Sequence, residues 1–509
     1  MPPNLLVSKK NWHFNGLNFS IIGIGIILRA SKYLPGWSMR GDELSVTHNL
    51  LERSALELIT KPLHSEQAAP IGFLLLEKLL ITLFGESDYL LRLPAFLAGC
   101  ISLILMHHLL TKTVGKYGSL FALSAFAFGN YLIYYSSELK QYQTDVLICL
   151  MLIWLFHKQL VEQASIKDFL RLGVFGALAL CFSHPALFVC MAIGFTLVLH
   201  YWNDKQRLLW ICLIGIFWAG VFLSIYFILL RYQTRSEYLI TFWGNLLSYM
   251  PVPPWRDFSW FPKALNGLFF IVAGLSSGLI LVSSIYILGL WRFLREKNWQ
   301  WTLFLIIPIG LNMVASGFQK FPFHGRLILY LLPLIFIVLG KGIDTLIDRI
   351  HNSAIVIFVF LALMILLLRP IVPTVNTYLI TQSYVRDDLK PVLAFMNDHT
   401  ERGDLVYLYH YAGGTYIYYA PSYNLENLEV INGQNFSRNA SRYQDELLSL
   451  PRGKRIWFVF SFVGQANVSK EVDQNEREYM LNFLEQHGLL LEEFYSRNNA
   501  SSAHLFILK

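Results

Sequence analysis

The sequence predicts an all-α polytopic membrane protein of about eleven transmembrane helices, with a C-terminal extracytoplasmic α/β domain. Three observations predict it. Of 509 residues, 55% are hydrophobic and only 15% charged, with a mean hydropathy of +0.45, whereas soluble domains carry charge on about 25% of their residues. About eleven stretches approach the roughly 20 apolar residues that a bilayer-crossing helix needs. Beyond residue 370 the long apolar runs stop, and helix-like and strand-like patterns alternate. The 15% aromatic content excludes a disordered chain.

The apolar segments lie near 17–34, 93–111, 117–134, 144–160, 169–183, 186–202, 208–230, 266–291, 301–316, 326–344 and 353–369. The first ends at Arg29 with no small-residue cleavage site after it, which reads as a retained signal anchor. Lys9 and Lys10 precede it. If they are cytoplasmic, the short inner connections are uniformly basic, with Lys112, Lys116, Lys158, Lys167, Arg171, Lys205, Arg207, Arg292, Arg295, Lys297, Lys341 and Arg349. The first outer loop also holds Arg40, Arg53, Lys61, Lys78 and Arg92, but long loops weigh less in orientation. This topology places residues 35–92 and the whole tail outside the cytoplasm. Two domains follow: 1–369 in the membrane, with the first outer loop 35–92, and 370–509 outside it.

Charge separates along the same boundary. Residues 370–509 hold 12 Lys+Arg against 16 Asp+Glu, and the remainder holds 29 against 18. A basic membrane part suits anionic lipid head groups or a phosphorylated ligand. All five cysteines (Cys100, Cys149, Cys181, Cys190 and Cys212) fall in apolar stretches, so the tail must be held by its own core without disulfides.

Within the first outer loop, residues 44–59 and 71–84 show helical apolar spacing broken by charge, the pattern of helices lying in the membrane interface. In the tail, DDLKPVLAFMNDH, RYQDELLSL and EREYMLNFLEQHG read as helices. DLVYLYHY, KRIWFVFSF, LLLEEFYS and AHLFILK read as strands, an alternation that argues for an α/β layer. Gly413-Gly414 lacks a full phosphate-loop motif and reads as a turn. Four Asn-x-Ser triplets, at Asn435, Asn439, Asn467 and Asn499, suit a chance origin in an Asn/Ser-rich stretch.

Charged groups at span ends are the informative residues, because ionisable side chains at membrane depth are costly and mark sites or pathways. Three clusters share the outer side: Asp42-Glu43; Glu138, Lys140, Tyr142 and Asp145; and Lys320, His324, Arg326 and Tyr330. His184, before Pro185, sits in an outer turn. Singly, each has a plain explanation: a solvated helix start, an interfacial helix, a snorkelling arginine or a loop histidine. Together they suit transfer chemistry on a phosphate-bearing lipid. Cations would neutralise the phosphate and a carboxylate would deprotonate an incoming hydroxyl. The expectation is that these groups converge in one pocket.

The same residues carry a family resemblance. A short first span followed by Trp37-x(3)-Gly41-Asp42-Glu43 resembles the first outer loop of membrane glycosyltransferases with the C-type (GT-C) fold, and AAPIGFLLLEKLLITLFGESDYLLRLPAFLAG looks like that loop running into the second span. YYSSELKQYQTD resembles the family's second acidic loop, with Lys140 where Arg is usual, and GRLILYLLP resembles its late Arg-x(3)-Tyr pattern. The likeness covers roughly residues 15–345 and is nearest the protein mannosyltransferase and aminoarabinose transferase group. It implies a polyprenyl-phosphate-linked sugar donor and a lipid, glycan or protein acceptor, on the non-cytoplasmic face of a bacterial plasma (inner) membrane. It also implies an inverting displacement with Asp42 as general base. Lys140, Arg326 and Lys320 would hold the phosphate, while Glu43 and Glu138 would orient sugar hydroxyls or basic side chains.

No cofactor is implied. The divalent-metal alternative would draw on Asp42, Glu43 and Glu138, although the outer loops lack the Asp-x-Asp element of metal-using relatives. Membrane lipids are expected partners and nucleic acid is not. Competing readings are a transporter or flippase, which the one-sided charges and missing internal repeat disfavour, an oligosaccharide polymerase or ligase, and a non-catalytic scaffold.

Overall fold

The computed structural model describes residues 16–161, 165–385, 387–436, 441–461 and 475–509. Lys9, Lys10, Asn439 and Asn467 lie outside them. The chain divides into two compact units, one of Met1–Leu34 with Glu52–Val375 and the other of Pro35–Leu51 with Asn376–Lys509.

The first unit is helical, with a helix at each apolar segment. Among the described residues, four helices are long and apolar enough to cross a membrane: Asp88–Thr113, Lys205–Gln233, Trp299–Gly317 and Gly325–Ile347. The count rises to six if two bent pairs each form one span, Asn130–Ser137 with Tyr142–Leu160 and Ser353–Leu368 with Ile371–Thr381. The expectation of eleven is therefore not confirmed. Several of the other helices are shorter than the roughly 20 residues a span requires: Lys116–Phe128 has 13, Ile166–Phe182 has 17, Ala186–His200 has 15 and Leu279–Arg295 has 17.

Two segments that read as continuous are broken. Stretch 117–134 breaks at Gly129. Stretch 266–291 breaks at 273–278, where Gly274 and Ser277 take left-handed φ values of 64° and 87°. Apolar composition cannot reveal such breaks, because partners distant in sequence satisfy the freed backbone groups. Ser276 N–H donates to Leu367 O at 2.8 Å. The fully buried Arg29 guanidinium donates to Ala127 O at 3.0 Å and Phe126 O at 3.4 Å, just before the Gly129 break.

Helix Leu332–Ile347 is the axis of this unit and is buried along almost its whole length. Its neighbours approach at glycines. A Cβ on Gly118 would lie 2.0 Å from Gly340 O, and one on Gly289 would lie 2.0 Å from Val338 O. Small residues allow such close approach where the surroundings of a helix are as apolar as its partner. Asp344 completes the first crossing by accepting from Gly115 N at 2.6 Å and Gly118 N at 2.8 Å, which caps helix Lys116–Phe128.

In the first outer loop, helices Gly41–Glu52 and Ala55–Thr60 replace the single run 44–59. Ser54 interrupts that run with a capping box to Glu57. The 71–84 reading matches helix Ile71–Phe84.

The second unit contains a five-stranded sheet of order β2-β1-β3-β5-β4. The strands are β1 Leu405–Leu408, β2 Glu429–Asn432, β3 Arg455–Ser461, β4 Gly488–Tyr495 and β5 Ser501–Leu508. β2, β1 and β3 run parallel, and β5 is antiparallel to both β3 and β4. The four apolar runs became strands, whereas β2 is short, partly exposed and polar at both ends, and its sequence carries no strand signal. Gly413-Gly414 is not the expected turn but opens helix Gly413–Tyr419. Trp457, wholly buried, donates from Nε1 to Asp404 Oδ2 at 3.2 Å, and Arg455 binds the same carboxylate at 2.8 Å.

Candidate active site

The loop between Gly129 and Tyr142 gathers several buried polar groups of the first unit. It leaves the short helix Asn130–Tyr134, turns, and re-enters as Tyr142–Val161, a bend of 113° between the two helical parts. Lys32, in the last turn of helix Gly16–Tyr33, reaches Glu138 Oε1 at 2.5 Å and Ser137 O at 3.3 Å. Its ammonium also lies 4.1 Å from the centroid of Tyr134. Both members of the pair are buried, where an ion lasts only with a partner. Lys140 donates from Nζ to Gln67 Oε1 at 2.6 Å, and Gln141 donates to Ala68 O at 3.3 Å, which ties the acidic loop to the first outer loop.

Arg326 comes to the same loop from helix Gly325–Leu331, with its guanidinium carbon 5.3 Å from the Tyr142 ring. Tyr142 packs edge-on against Tyr135 at 5.1 Å, and Arg326 and Glu138 both interact electrostatically with Tyr135. The structure therefore brings together Glu138, Lys140, Tyr142 and Arg326. Next to them, atoms of Gln141, Gln143 and Asp145 are buried without hydrogen-bond partners among the described residues. Such groups are costly unless water or a ligand completes them.

The remaining expected residues lie in other settings. Tyr330 is fully buried and accepts from Asn312 Nδ2 at 2.9 Å, with its ring stacked 6.4 Å from Phe188. Exposed Lys320 donates to Thr234 O at 3.3 Å. His324 lies 6.1 Å from the Trp243 ring, and half-buried His184 occupies the turn before helix Ala186–His200.

Asp42 and Glu43 belong to the second unit, in the first turn of helix Gly41–Glu52. Carboxylates are favoured there by the unsatisfied N–H groups of the helix start. Nearby Asp387 is buried among Ser461 Oγ, Thr415 Oγ1 and the Arg40 charge. Burial pushes its carboxyl up to about 6, against the opposing pull of those hydrogen bonds and of Arg40. Burial likewise raises Asp388, opposed by its hydrogen bond to Ser38 and by Lys390. Among the described residues, no group of three or more His, Cys, Asp or Glu is placed to share a metal ion.

Sequence reasoning missed Lys32, Gln67 and Tyr135. A signal existed for Lys32: with Arg29 it forms an i,i+3 pair of cations inside an otherwise apolar helix. Gln67 and Tyr135 carried none.

Residues 68–228, about a third of the chain, match the family model described as dolichyl-phosphate-mannose-protein mannosyltransferase. Among solved structures, ArnT from Cupriavidus metallidurans bound to undecaprenyl phosphate superimposes with a TM-score of 0.52 at 11% identity. The match covers 97% of this chain and 98% of that one. The chain has the GT-C fold. The resemblance carried by the outer-loop motifs, to the GT-C mannosyltransferase and aminoarabinose transferase group, is thus borne out. The oligosaccharyltransferase of Archaeoglobus fulgidus in its apo form gives a TM-score of 0.49 at 10% identity, covering 88% of this chain and 70% of that one. No curated protein sequence matches. The apolar helices and the GT-C fold make this an integral membrane protein.

Proposed function

We propose that this protein is a polyprenyl-phosphate-dependent glycosyltransferase that moves a sugar to a lipid, glycan or protein acceptor. The reading sets the reaction at the outer face of a bacterial inner membrane, with the N-terminus cytoplasmic. The observation that carries it is the mannosyltransferase family match over residues 68–228, a stretch that includes the whole Glu138–Asp145 loop. The undecaprenyl phosphate bound to the similarly folded ArnT supports a lipid-phosphate donor.

In this reading Asp42 accepts the proton of the acceptor hydroxyl. That oxygen bonds to C1 of the sugar from the face opposite the phosphate, and the C1–O bond breaks with its electron pair leaving on the polyprenyl phosphate. Lys140 and Arg326 stabilise the growing negative charge on the phosphate. Arg326 can present two N–H groups to one phosphate, whereas Lys140 acts as a point charge. Gln141, Gln143 and Asp145 offer unpartnered polar atoms to the hydroxyls of the sugar. The step balances without a cofactor.

The test is a transfer assay on the full chain in nanodiscs supplied with polyprenyl-phosphate sugars. The reading expects release of free polyprenyl phosphate together with a glycosylated acceptor. Movement of intact lipid-linked sugar across a bilayer without bond cleavage would instead favour a flippase. Arg326→Ala should weaken donor binding by tenfold or more, in line with the loss of a charge-assisted contact worth about 1.5–3 kcal/mol. Unchanged donor affinity would remove Arg326 from the phosphate.

A further inference from the structure

Residues 35–51 lie more than 300 positions before the C-terminal domain, yet they form one compact unit with it. The contacts are specific. Ser38 Oγ accepts from the main-chain N–H groups of Leu389 at 2.9 Å and Lys390 at 3.1 Å, and donates to Asp388 Oδ1 at 3.4 Å. Those two amides open helix Lys390–His399, whose own N-cap residue, Leu389, makes no side-chain cap. Ser38 supplies the missing cap from the other end of the sequence, using both lone pairs and its proton.

Ties on either side extend the seam. Gly36 O accepts from Lys390 Nζ at 2.7 Å, Trp37 Nε1 donates to Tyr384 Oη at 3.0 Å, and Met39 N–H donates to Tyr419 Oη at 2.8 Å. The anchor beneath is itself braced. Asp388 N–H donates to Ser501 Oγ at 3.1 Å, and the hydroxyls of Ser501 and Ser461 lie 2.7 Å apart at paired positions of β5 and β3. Four consecutive residues, Gly36 to Met39, are thus each fastened to the C-terminal domain. Asp42 follows three residues later.

We propose that Ser38 is a positioning residue for Asp42, and that the C-terminal domain is the mount holding the acidic helix in its working place. The proposal rests on the glycosyltransferase reading, with Asp42 as base. A general base acts only within hydrogen-bond reach of the proton it removes, and a misplacement of about 1 Å can cost on the order of 100-fold in rate. A loop held by four successive ties has its place fixed before substrate arrives. Any motion of the C-terminal domain, including one provoked by acceptor, would carry Asp42 with it.

The test uses the full chain in nanodiscs with Ser38→Ala and its conservative counterpart Ser38→Thr, read by hydrogen exchange and by turnover. Ser38→Ala should speed amide exchange across residues 41–52 at least tenfold and lower kcat at least tenfold with donor affinity unchanged, and Ser38→Thr should restore both. If Ser38→Ala does not fold, Lys390→Met removes the Gly36 tie while leaving the cap and should show the same split. Faster exchange confined to the Lys390–His399 helix, with residues 41–52 and kcat untouched, would reduce Ser38 to a helix cap and overturn the proposal. If the unmodified protein transfers no sugar from any donor, the glycosyltransferase reading fails, while the exchange data still decide whether Ser38 holds the acidic helix.

Discussion

Two regions, one in each unit, treat buried polar groups differently. Around Ser38 in the second unit, the hydroxyls of Ser38, Ser461, Ser501 and Thr415 and the carboxylates of Asp387 and Asp388 form one network, joined through the main-chain N–H of Asp388 to Ser501 Oγ. Around the Glu138 loop in the first unit, the Lys32–Glu138 ion pair stands beside Gln143 and Asp145, which have buried polar atoms without hydrogen-bond partners among the described residues. A closed network fixes geometry. An incomplete one leaves hydrogen-bonding capacity for something that arrives later. In the proposed reading, the first-unit region is the one that receives substrate and the second-unit region the one that positions Asp42.

The contrast can be broken most severely at the ion pair. Replacing Lys32 by Met removes the ammonium 2.5 Å from Glu138 Oε1 and should destabilise the first unit by up to about 3–5 kcal/mol, whereas the double variant Lys32→Met with Glu138→Leu should recover most of that loss. Thermal unfolding of the full chain in nanodiscs measures both. A single variant as stable as the parent would mean the pair is not needed for the fold. Next in size is the helix crossing at Gly118. Alanine there must displace Gly340 O, 2.0 Å from the new Cβ, and should cost about 1–3 kcal/mol as overpacking, with a matching fall in Tm.

The smallest effect belongs to the second unit. The Asp387 carboxyl, raised to about 6 by burial, keeps a proton that the unfolded chain has already released above about pH 4. The stability of that unit should therefore fall as pH rises from about 4 to 6, then level off. The groups facing Asp387 are Arg40, Asp388, Ser461 and Thr415. Asp387→Asn should flatten the dependence. Denaturant titrations at several pH values, read by exchange protection of β3, would show it, and an identical slope in the variant would assign the dependence elsewhere.

Much of the architecture was legible in the sequence. Long apolar runs located the helices, and short strand-like apolar runs located β1, β3, β4 and β5. The breaks at Gly129 and 273–278 were hidden, because the groups that make them tolerable, Arg29 and Leu367, come from other helices. The acidic loop and the late arginine were legible as charges out of place in a membrane. Their immediate partners were not. Gln67 beside Lys140, Tyr135 beside Tyr142 and Ser38 beneath Leu389 are ordinary residues whose roles exist only once the chain has folded. Nor does apolar spacing show that residues 35–51 group with the tail.

The central claim is that Asp42 removes the proton of the acceptor. The direct measurement compares sugar transfer from a polyprenyl-phosphate donor by the unmodified protein and by Asp42→Asn, with donor binding followed in the same nanodiscs. The variant should bind donor normally and lose turnover by about 100-fold or more, the scale of general-base catalysis. Near-normal transfer by a folded Asp42→Asn protein would contradict it.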